Sequence, residues 1–183
     1  MDEFAPQSLL PSMLCVLATD RLRQFLAAHF WTEESDALLA ALSVPARPDA
    51  TLRSNAGLRE VAEGRLPLER WLAEFGHRAP EEFELATPRW AERPATITAL
   101  AYHWDGQEDP LAKHVAREQA AQTQLARLTA RLSASEAAAL RAHVSLLARF
   151  LPYREDGKHH LMLGYGLLRD HALEAGRRLG LGE

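Results

Sequence analysis

The sequence contains a single cysteine, Cys15, so the chain cannot form an internal disulfide. Apolar residues surround Cys15, which predicts a buried thiol in a reducing compartment. No uninterrupted apolar run approaches the roughly 18 residues that cross a bilayer. The apolar N-terminal stretch also begins with two acidic residues instead of the basic residues of a signal peptide. These absences predict a cytoplasmic protein that does not enter a membrane.

An excess of basic charge is lacking as well. The net charge is -4 and the pI is about 6.1, which argues against a nucleic-acid partner. The motifs GxxxxGK[ST], GxGxxG, GxSxG, HExxH and CxxC do not occur. The neighbouring His159 and His160 point about 100° apart on a helix and do not form the i, i+4 histidine pair of zinc-binding helices, so no metal site is expected there or at His114.

Strand signals are nearly absent, because β-branched residues and alternating patterns are sparse while Ala, Leu, Arg and Glu dominate. The predicted fold is all-α, an irregular multi-helix bundle with a long packed-down loop between its N-terminal and C-terminal helical halves. Three parts are expected within one domain. They are an N-terminal helical part (1–75), a motif-bearing loop (76–95) and a bundle of long helices (96–183).

Capping residues predict where the helices begin. Ser54 is expected to cap a helix that Gly64 ends, and Asp109 to cap another. Ser133 and the glutamate three residues later form a capping box, which predicts a helix that ends near residue 151. A separate final helix is then expected from about residue 153 to about residue 179.

That final helix carries a cationic pattern. Arg154 and Lys158 are four residues apart and therefore share one helical face with apolar residues such as Tyr165. Arg169, eleven residues after Lys158, returns close to the same face. An arginine fork beside a lysine point charge suits phosphate or carboxylate oxygens, which makes these three cations candidate phosphate or substrate ligands. The alternative is an ordinary solvated face.

The segment from Gly76 to Ala95 reads GHRAPEEFELATPRWAERPA. Its apolar residues, Phe83, Leu85 and Trp90, predict that the loop packs against the helices. Its charged and imidazole side chains belong to His77, Arg78, Glu82, Glu84 and Arg89. We expect a lattice of ion pairs that holds the loop in place, because buried charges require partners. No sequence feature supplies the orienting partner that His77 would need as a general base, so a structural role is favoured for it.

Two segments together, GHRAPEEFELATPRWAERP and LPYREDGKHHLMLGYGLLRDHALEAGRRL, resemble the helical central region of the phosphoenolpyruvate synthase-like dikinases, especially the rifampin phosphotransferases. Both motifs stand in the order found in that family, whose first motif is similar to GHRGPGE(F/L)(E/D)L…PRW. The resemblance covers most of Leu52 to Leu181. Ala79 and Glu81 replace glycines that are common in the family, which questions a close backbone approach at that turn.

The resemblance implies an enzyme that is built from three domains. Such enzymes combine an ATP-grasp domain, a helical domain that takes the acceptor, and a swivelling domain whose histidine carries phosphate. ATP and Mg²⁺ are implied for the complete enzyme and no cofactor for this chain alone, since only the helical part is matched. Arg154 and Lys158 align with the family's arginine and lysine near the acceptor. His77, Arg78, Glu82 and Arg89 align with the first motif, for which a structural duty is preferred.

Two functions therefore stand open. The first is the acceptor-binding helical domain, a fragment or a split subunit of a dikinase-type phosphotransferase, with no catalysis expected from this chain alone. Its partners would be a small-molecule acceptor and the ATP-grasp and phosphohistidine domains, in trans or missing from the chain. The acceptor could be a rifamycin-like drug, pyruvate or another small molecule. The second function is a free-standing, non-catalytic helical binding or scaffold module.

Overall fold

The structure, a computed structural model, describes residues 4–102 and 109–180. Within these residues there are seven α-helices and no β-strand, which confirms the predicted all-α fold. The α-helices are α1 (Phe4–His29), α2 (Thr32–Leu42), α3 (Ala50–Ala62), α4 (Leu68–Phe75), α5 (Pro94–Tyr102), α6 (Pro110–Thr129) and α7 (Ala134–Arg178). A short 3-10 helix, Trp90–Glu92, precedes α5.

Two predicted helix starts are confirmed by their hydrogen bonds. The Asp109 carboxylate accepts from the backbone N–H groups of Leu111 and Ala112, at 2.9 and 3.2 Å, and Pro110 opens α6. Before α7, the Glu136 carboxylate accepts from the Ser133 N–H at 2.8 Å, and the Ser133 hydroxyl accepts from the Glu136 N–H at 3.4 Å. The capping box is therefore present.

The expected break near residue 151 is wrong, because α7 runs without interruption for 45 residues with Pro152 inside it. Proline removes the N–H that would bond to the carbonyl four residues earlier, here that of Ala148. That carbonyl instead accepts from the backbone N–H of Ala46 at 2.9 Å. Since a distant residue replaces the lost hydrogen bond, the helix continues past the proline.

The expected cap at Ser54 is also wrong, since Ser54 lies inside α3 and is buried. Two aspartates satisfy the first N–H groups of α3 instead. Asp49 accepts from the Leu52 N–H at 2.8 Å, and Asp156, from α7, accepts from the Ala50 N–H at 2.8 Å. The second of these acceptors is more than 100 residues away in sequence, so local patterns could not reveal it.

The chain divides into two compact units, each made of two separate segments. The first comprises Met1–Leu52 and Glu108–Gly157, and the second comprises Arg53–Gln107 and Lys158–Glu183. The division into the three consecutive parts 1–75, 76–95 and 96–183 stays a prediction. Residues 1–3, 103–108 and 181–183 of those parts lie outside the described residues.

Each unit has its own hydrophobic core. The core of the first unit is built mainly from leucines of α1, α2, α6 and α7, and it includes the buried thiol of Cys15. The core of the second unit is formed by Leu58, Trp71, Phe75, Ile97 and Ala101. In that core the indole N–H of Trp71 donates to the Ser54 carbonyl at 2.9 Å, so the largest buried side chain also has its polar group satisfied.

Candidate functional site

The motif-bearing loop belongs to the second unit and closes on itself. Two backbone hydrogen bonds join its ends, from Trp90 N–H to the Arg78 carbonyl at 2.8 Å and from Ala91 N–H to the Gly76 carbonyl at 2.9 Å. A Cβ atom added at Gly76 would lie 2.9 Å from the Ala91 Cβ, so a larger residue there would push the two ends apart. The loop is thus a closed structure that begins where α4 ends.

Glu82 lies at the centre of the charged groups of this loop and is only 7% exposed. Its Oε1 accepts from the Arg78 Nε at 2.5 Å, and its Oε2 forms an ion pair with the Lys158 Nζ. Its backbone carbonyl accepts from the Arg89 Nη1 at 2.9 Å. Three cations therefore hold one glutamate, through both carboxylate oxygens and through the main chain.

The electrostatics of this contact decide the charge of Glu82. Burial alone raises the pKa of the Glu82 carboxyl, but the hydrogen bonds from Arg78 and Lys158 and their positive charges outweigh burial, so that the pKa is lowered. Glu82 is consequently a carboxylate at neutral pH. Because both of its oxygens are occupied by cations, it is unsuited to abstract a proton from a substrate.

The ion-pair lattice expected for the loop is present only in part. Arg78 pairs with Glu82, but the Arg89 guanidinium donates to the backbone carbonyls of Glu82 and Glu84, the latter at 3.4 Å. The Glu84 carboxylate accepts from the Ala86 N–H at 2.8 Å instead of pairing with an arginine. Arg89 is buried, and its Nε has no hydrogen-bond partner. The loop is therefore held by arginine-to-carbonyl bonds as much as by ion pairs.

Lys158 lies at an open cleft of about 540 Å³ on the second unit. The other residues that line the cleft are Pro80, Glu81, Glu82, Phe83 and Glu84. The Lys158 side chain is 40% exposed, and its Nζ lies 6.0 Å from the centre of the Phe83 ring. Phe83 is 58% exposed, and its ring meets the Tyr165 ring of α7 edge-on at 5.7 Å, which is one contact between the loop and a helix. The cleft offers one ammonium group beside an uncovered aromatic surface.

Arg169 makes four hydrogen bonds within the second unit. Its Nε and Nη2 donate to the two carboxylate oxygens of Glu92, at 2.7 and 2.8 Å, and its Nη1 donates to the carbonyls of Leu85 and Ala86, at 2.6 and 3.1 Å. Arg169 is only 8% exposed, and four of the five N–H donors of its guanidinium are used. These contacts join α7 to the loop. Whether Arg169 also binds phosphate stays a prediction.

Comparison with known families gives one match. The family model described as the rifampicin phosphotransferase fourth domain matches residues 27–155, which is more than half of the chain. The chain belongs to this family. This confirms the resemblance to a helical domain of rifampin phosphotransferase-like dikinases. Among the curated proteins no match was found.

The match to the rifampicin phosphotransferase fourth domain includes the whole motif-bearing loop and Arg154, whereas Lys158 and Arg169 follow its last matched residue. Arg154 belongs to the first unit. Its side chain is 66% exposed and pairs with the neighbouring Glu155, whose Oε1 lies 3.0 Å from Nε and 2.9 Å from Nη2. The substrate-binding role of Arg154, like that of Lys158, stays a prediction at this point.

Two histidines, one of them beyond the matched range, lie in contact within the second unit. The His77 Nε2 lies 3.2 Å from the His159 carbonyl, and the two rings are 4.6 Å apart, edge to face. Burial lowers the pKa of His77, and burial together with the positive potential of His77 and His160 lowers the pKa of His159 to about 4. Both rings are neutral at pH 7. The contact between them carried no signal in the sequence, because 82 residues separate them.

Two further properties concern the described residues as a whole. No group of three or more His, Cys, Asp or Glu side chains within 4–102 and 109–180 could hold a metal ion. In the same ranges, no helix of the fourth domain is both long enough and apolar enough to cross a membrane.

Proposed function

We propose that this chain is the acceptor-binding helical domain of an enzyme of the rifampicin phosphotransferase type, and that Lys158 stabilises the phosphoryl group on its way to the acceptor. The family match supports a domain of such an enzyme. The observation that carries the finer proposal is the partly exposed Lys158 ammonium at the cleft beside the Phe83 ring. In this proposal the ATP-grasp and phosphohistidine domains, with ATP and Mg²⁺, act in cis or in trans.

The chemistry of Lys158 suits this role. A transferring phosphoryl group spreads negative charge over its oxygens, and cationic groups fixed near those oxygens lower the barrier. Lys158 has three N–H donors and forms an ion pair with the buried Glu82. The exposed part of the side chain leaves donors that can reach an anion in the cleft. Phe83 supplies an apolar contact for the body of the acceptor.

The acidic residues of the cleft set a limit on how tightly free anions bind. Glu81 and Glu84 line it together with Lys158, and their carboxylates repel an unaccompanied phosphate. We therefore expect inorganic phosphate to bind weakly, with a Kd on the order of 1 mM, equivalent to about 4 kcal/mol. A phosphoryl group delivered by a partner domain does not depend on such affinity, because the delivering domain supplies most of the binding surface.

The chain offers a direct test, since Lys113 and Lys158 are its two lysines. Both amines can be acylated slowly with an amine-reactive ester, and the extent at each can be measured by peptide mass spectrometry. Inorganic phosphate, compared with chloride at equal ionic strength, should slow acylation of Lys158 and leave Lys113, which belongs to the first unit, unchanged. Equal rates in both salts would contradict the proposal.

Variants and acceptors extend the test. Arg154→Ala combined with Lys158→Ala should abolish phosphate binding, measured by titration calorimetry, and leave helicity unchanged in circular dichroism. Rifampicin and pyruvate serve as probe acceptors in the same protection assay. The chain alone with ATP, Mg²⁺ and either acceptor should release no AMP. A non-catalytic scaffold would show neither phosphate nor acceptor protection, while AMP release would mean that the chain contains catalytic parts the proposal assigns to other domains.

A further inference from the structure

We infer that Glu82 is a positioning residue for Lys158, and that the first motif of the chain serves to hold the lysine of the second motif in place for phosphoryl transfer. This inference rests on the proposed function of Lys158. It assigns to the buried charges of the loop a purpose beyond holding the loop together. Glu82 and Lys158 are 76 residues apart in sequence but form an ion pair within one compact unit.

A series of contacts connects Glu82 to the hydrophobic core of the second unit. The Arg78 guanidinium, which grips Oε1 of Glu82, lies 5.7 Å from the centre of the Trp90 ring. Trp90 in turn stacks on the core residue Trp71, with ring centres 5.3 Å apart. Arg89 fixes the Glu82 main chain through the carbonyl. The carboxylate is thus immobilised from the core side, and its second oxygen, Oε2, is left for Lys158.

Charge balance alone does not explain why Lys158 takes part. Arg78 already neutralises Glu82, and both of these side chains are buried. Lys158, by contrast, keeps 40% of its side chain exposed. A lysine on a surface loses rotamer entropy when it is held in one conformation. The fixed Glu82 carboxylate restricts the Lys158 side chain before a phosphoryl group arrives. The remaining N–H donors of the ammonium group then point in a constant direction.

The contact should persist over a wide pH range. Burial raises the pKa of Glu82, but the hydrogen bonds from Arg78 and Lys158 reverse that effect, so the pKa lies below its usual value. A carboxylate with a lowered pKa keeps its charge, and hence its hold on the lysine, through neutral and mildly acidic solutions. Positioning of this kind requires no conformational switch.

Glu82→Gln tests the inference, with Glu81→Gln as the matched control. Each change removes one negative charge from a residue that lines the same cleft, but only Glu82 contacts Lys158; Glu81 accepts from the Thr87 hydroxyl at 3.2 Å. Without phosphate, Glu82→Gln should raise the acylation rate of Lys158, relative to that of Lys113, by about threefold or more, since the ammonium loses its partner. Glu81→Gln should leave this ratio unchanged.

The response to phosphate separates positioning from simple electrostatics. Loss of a nearby negative charge should strengthen phosphate protection of Lys158 in both variants if charge alone matters. If Glu82 positions Lys158, protection falls in Glu82→Gln by at least about threefold and does not fall in Glu81→Gln. Undiminished protection in Glu82→Gln, when the wild type is protected, overturns the positioning role alone. Absence of protection in the wild type overturns the proposed function of Lys158 itself.

Folding is checked by circular dichroism on each variant. If Glu82→Gln loses helicity, Glu82→Asp decides the question, because it keeps a charge for Arg78 but is one methylene shorter. A higher Lys158 to Lys113 ratio and weaker phosphate protection in Glu82→Asp support the inference. The same ratio and the same protection as in the wild type overturn it.

Discussion

Replacement of Arg169 by methionine should destabilise the second unit strongly. Methionine keeps much of the side-chain length but removes the guanidinium, and with it four hydrogen bonds to Glu92, Leu85 and Ala86. The two carbonyls are left without these donors, and the Glu92 carboxylate loses its bidentate partner. Arg169 is buried, so water does not fully replace what is lost.

The magnitude follows from the exposure of the partners. Breaking a buried ion pair by removing one member costs about 3–5 kcal/mol, because the other charge stays buried. The Glu92 side chain is 34% exposed and can be partly resolvated, which reduces the cost. We therefore expect a loss of about 2–3 kcal/mol in the free energy of unfolding. In urea this corresponds to a midpoint lower by about 1 M.

The pH dependence of this loss has a definite sign. The hydrogen bonds from Arg169 are the main cause that lowers the pKa of Glu92 in the folded chain. A depressed carboxyl pKa contributes stability that is present above the unfolded value, about 4.5, and disappears as the pH falls through the folded value. The difference between wild type and Arg169→Met should therefore be largest at pH 7 and shrink below about pH 4.

Urea unfolding followed by tryptophan fluorescence and circular dichroism measures this effect. Trp71 and Trp90 both lie in the second unit and report on its unfolding. Arg177→Met is the matched control, since Arg177 lies on the same helix, pairs with Glu174 and is 76% exposed. It should change stability by less than about 0.5 kcal/mol. If Arg169→Met is as stable as the control, the contacts of Arg169 do not stabilise the unit, and a phosphate-binding role gains weight.

Two further predictions concern other elements. Buried, neutral His159 has a folded pKa of about 4, below the unfolded 6.5, so its contribution to stability is lost as the pH falls from 6.5 towards 4. Between pH 7 and pH 5 the free energy of unfolding of the wild type should fall by about 2 kcal/mol, and that of His159→Phe should fall by less. Urea titrations at both pH values measure the two decreases, and equal decreases in wild type and variant would refute the assignment. Ser133→Ala removes the capping box before α7 and should cost about 1 kcal/mol, seen as a lower melting temperature of the first unit. No shift there would show that the cap adds nothing to stability.

The local features of the fold could be predicted from the sequence. Asp109 and Ser133 were recognisable as caps because the residues that they satisfy are two or three positions away. The continuation of α7 through Pro152 could not be predicted, since it depends on the N–H of Ala46 reaching the freed Ala148 carbonyl. The true start of α3 likewise depends on a distant carboxylate, that of Asp156. Local signals therefore identified helices, whereas long-range hydrogen bonds determined where some of them begin and end.

The same distinction holds for the candidate site. Helical spacing placed Lys158 and Arg169 near one face, which is a property of the helix alone. It could not reveal that Glu82 contacts one of these cations and Glu92 the other, because both partners come from a separate segment of the chain. The contacts of Glu82 with Lys158 and of Glu92 with Arg169 form only when the loop folds against α7. The pairing of the two motifs therefore cannot be predicted from helical spacing.

The account depends above all on whether Lys158 faces a phosphoryl group. The most direct measurement is the acylation rate of Lys158 in the wild-type chain, with Lys113 as internal reference, as inorganic phosphate is raised at constant ionic strength. We predict that the Lys158 rate falls progressively, with half of the effect on the order of 1 mM phosphate, while the Lys113 rate stays constant. A Lys158 rate that follows the Lys113 rate at every phosphate concentration would contradict the account.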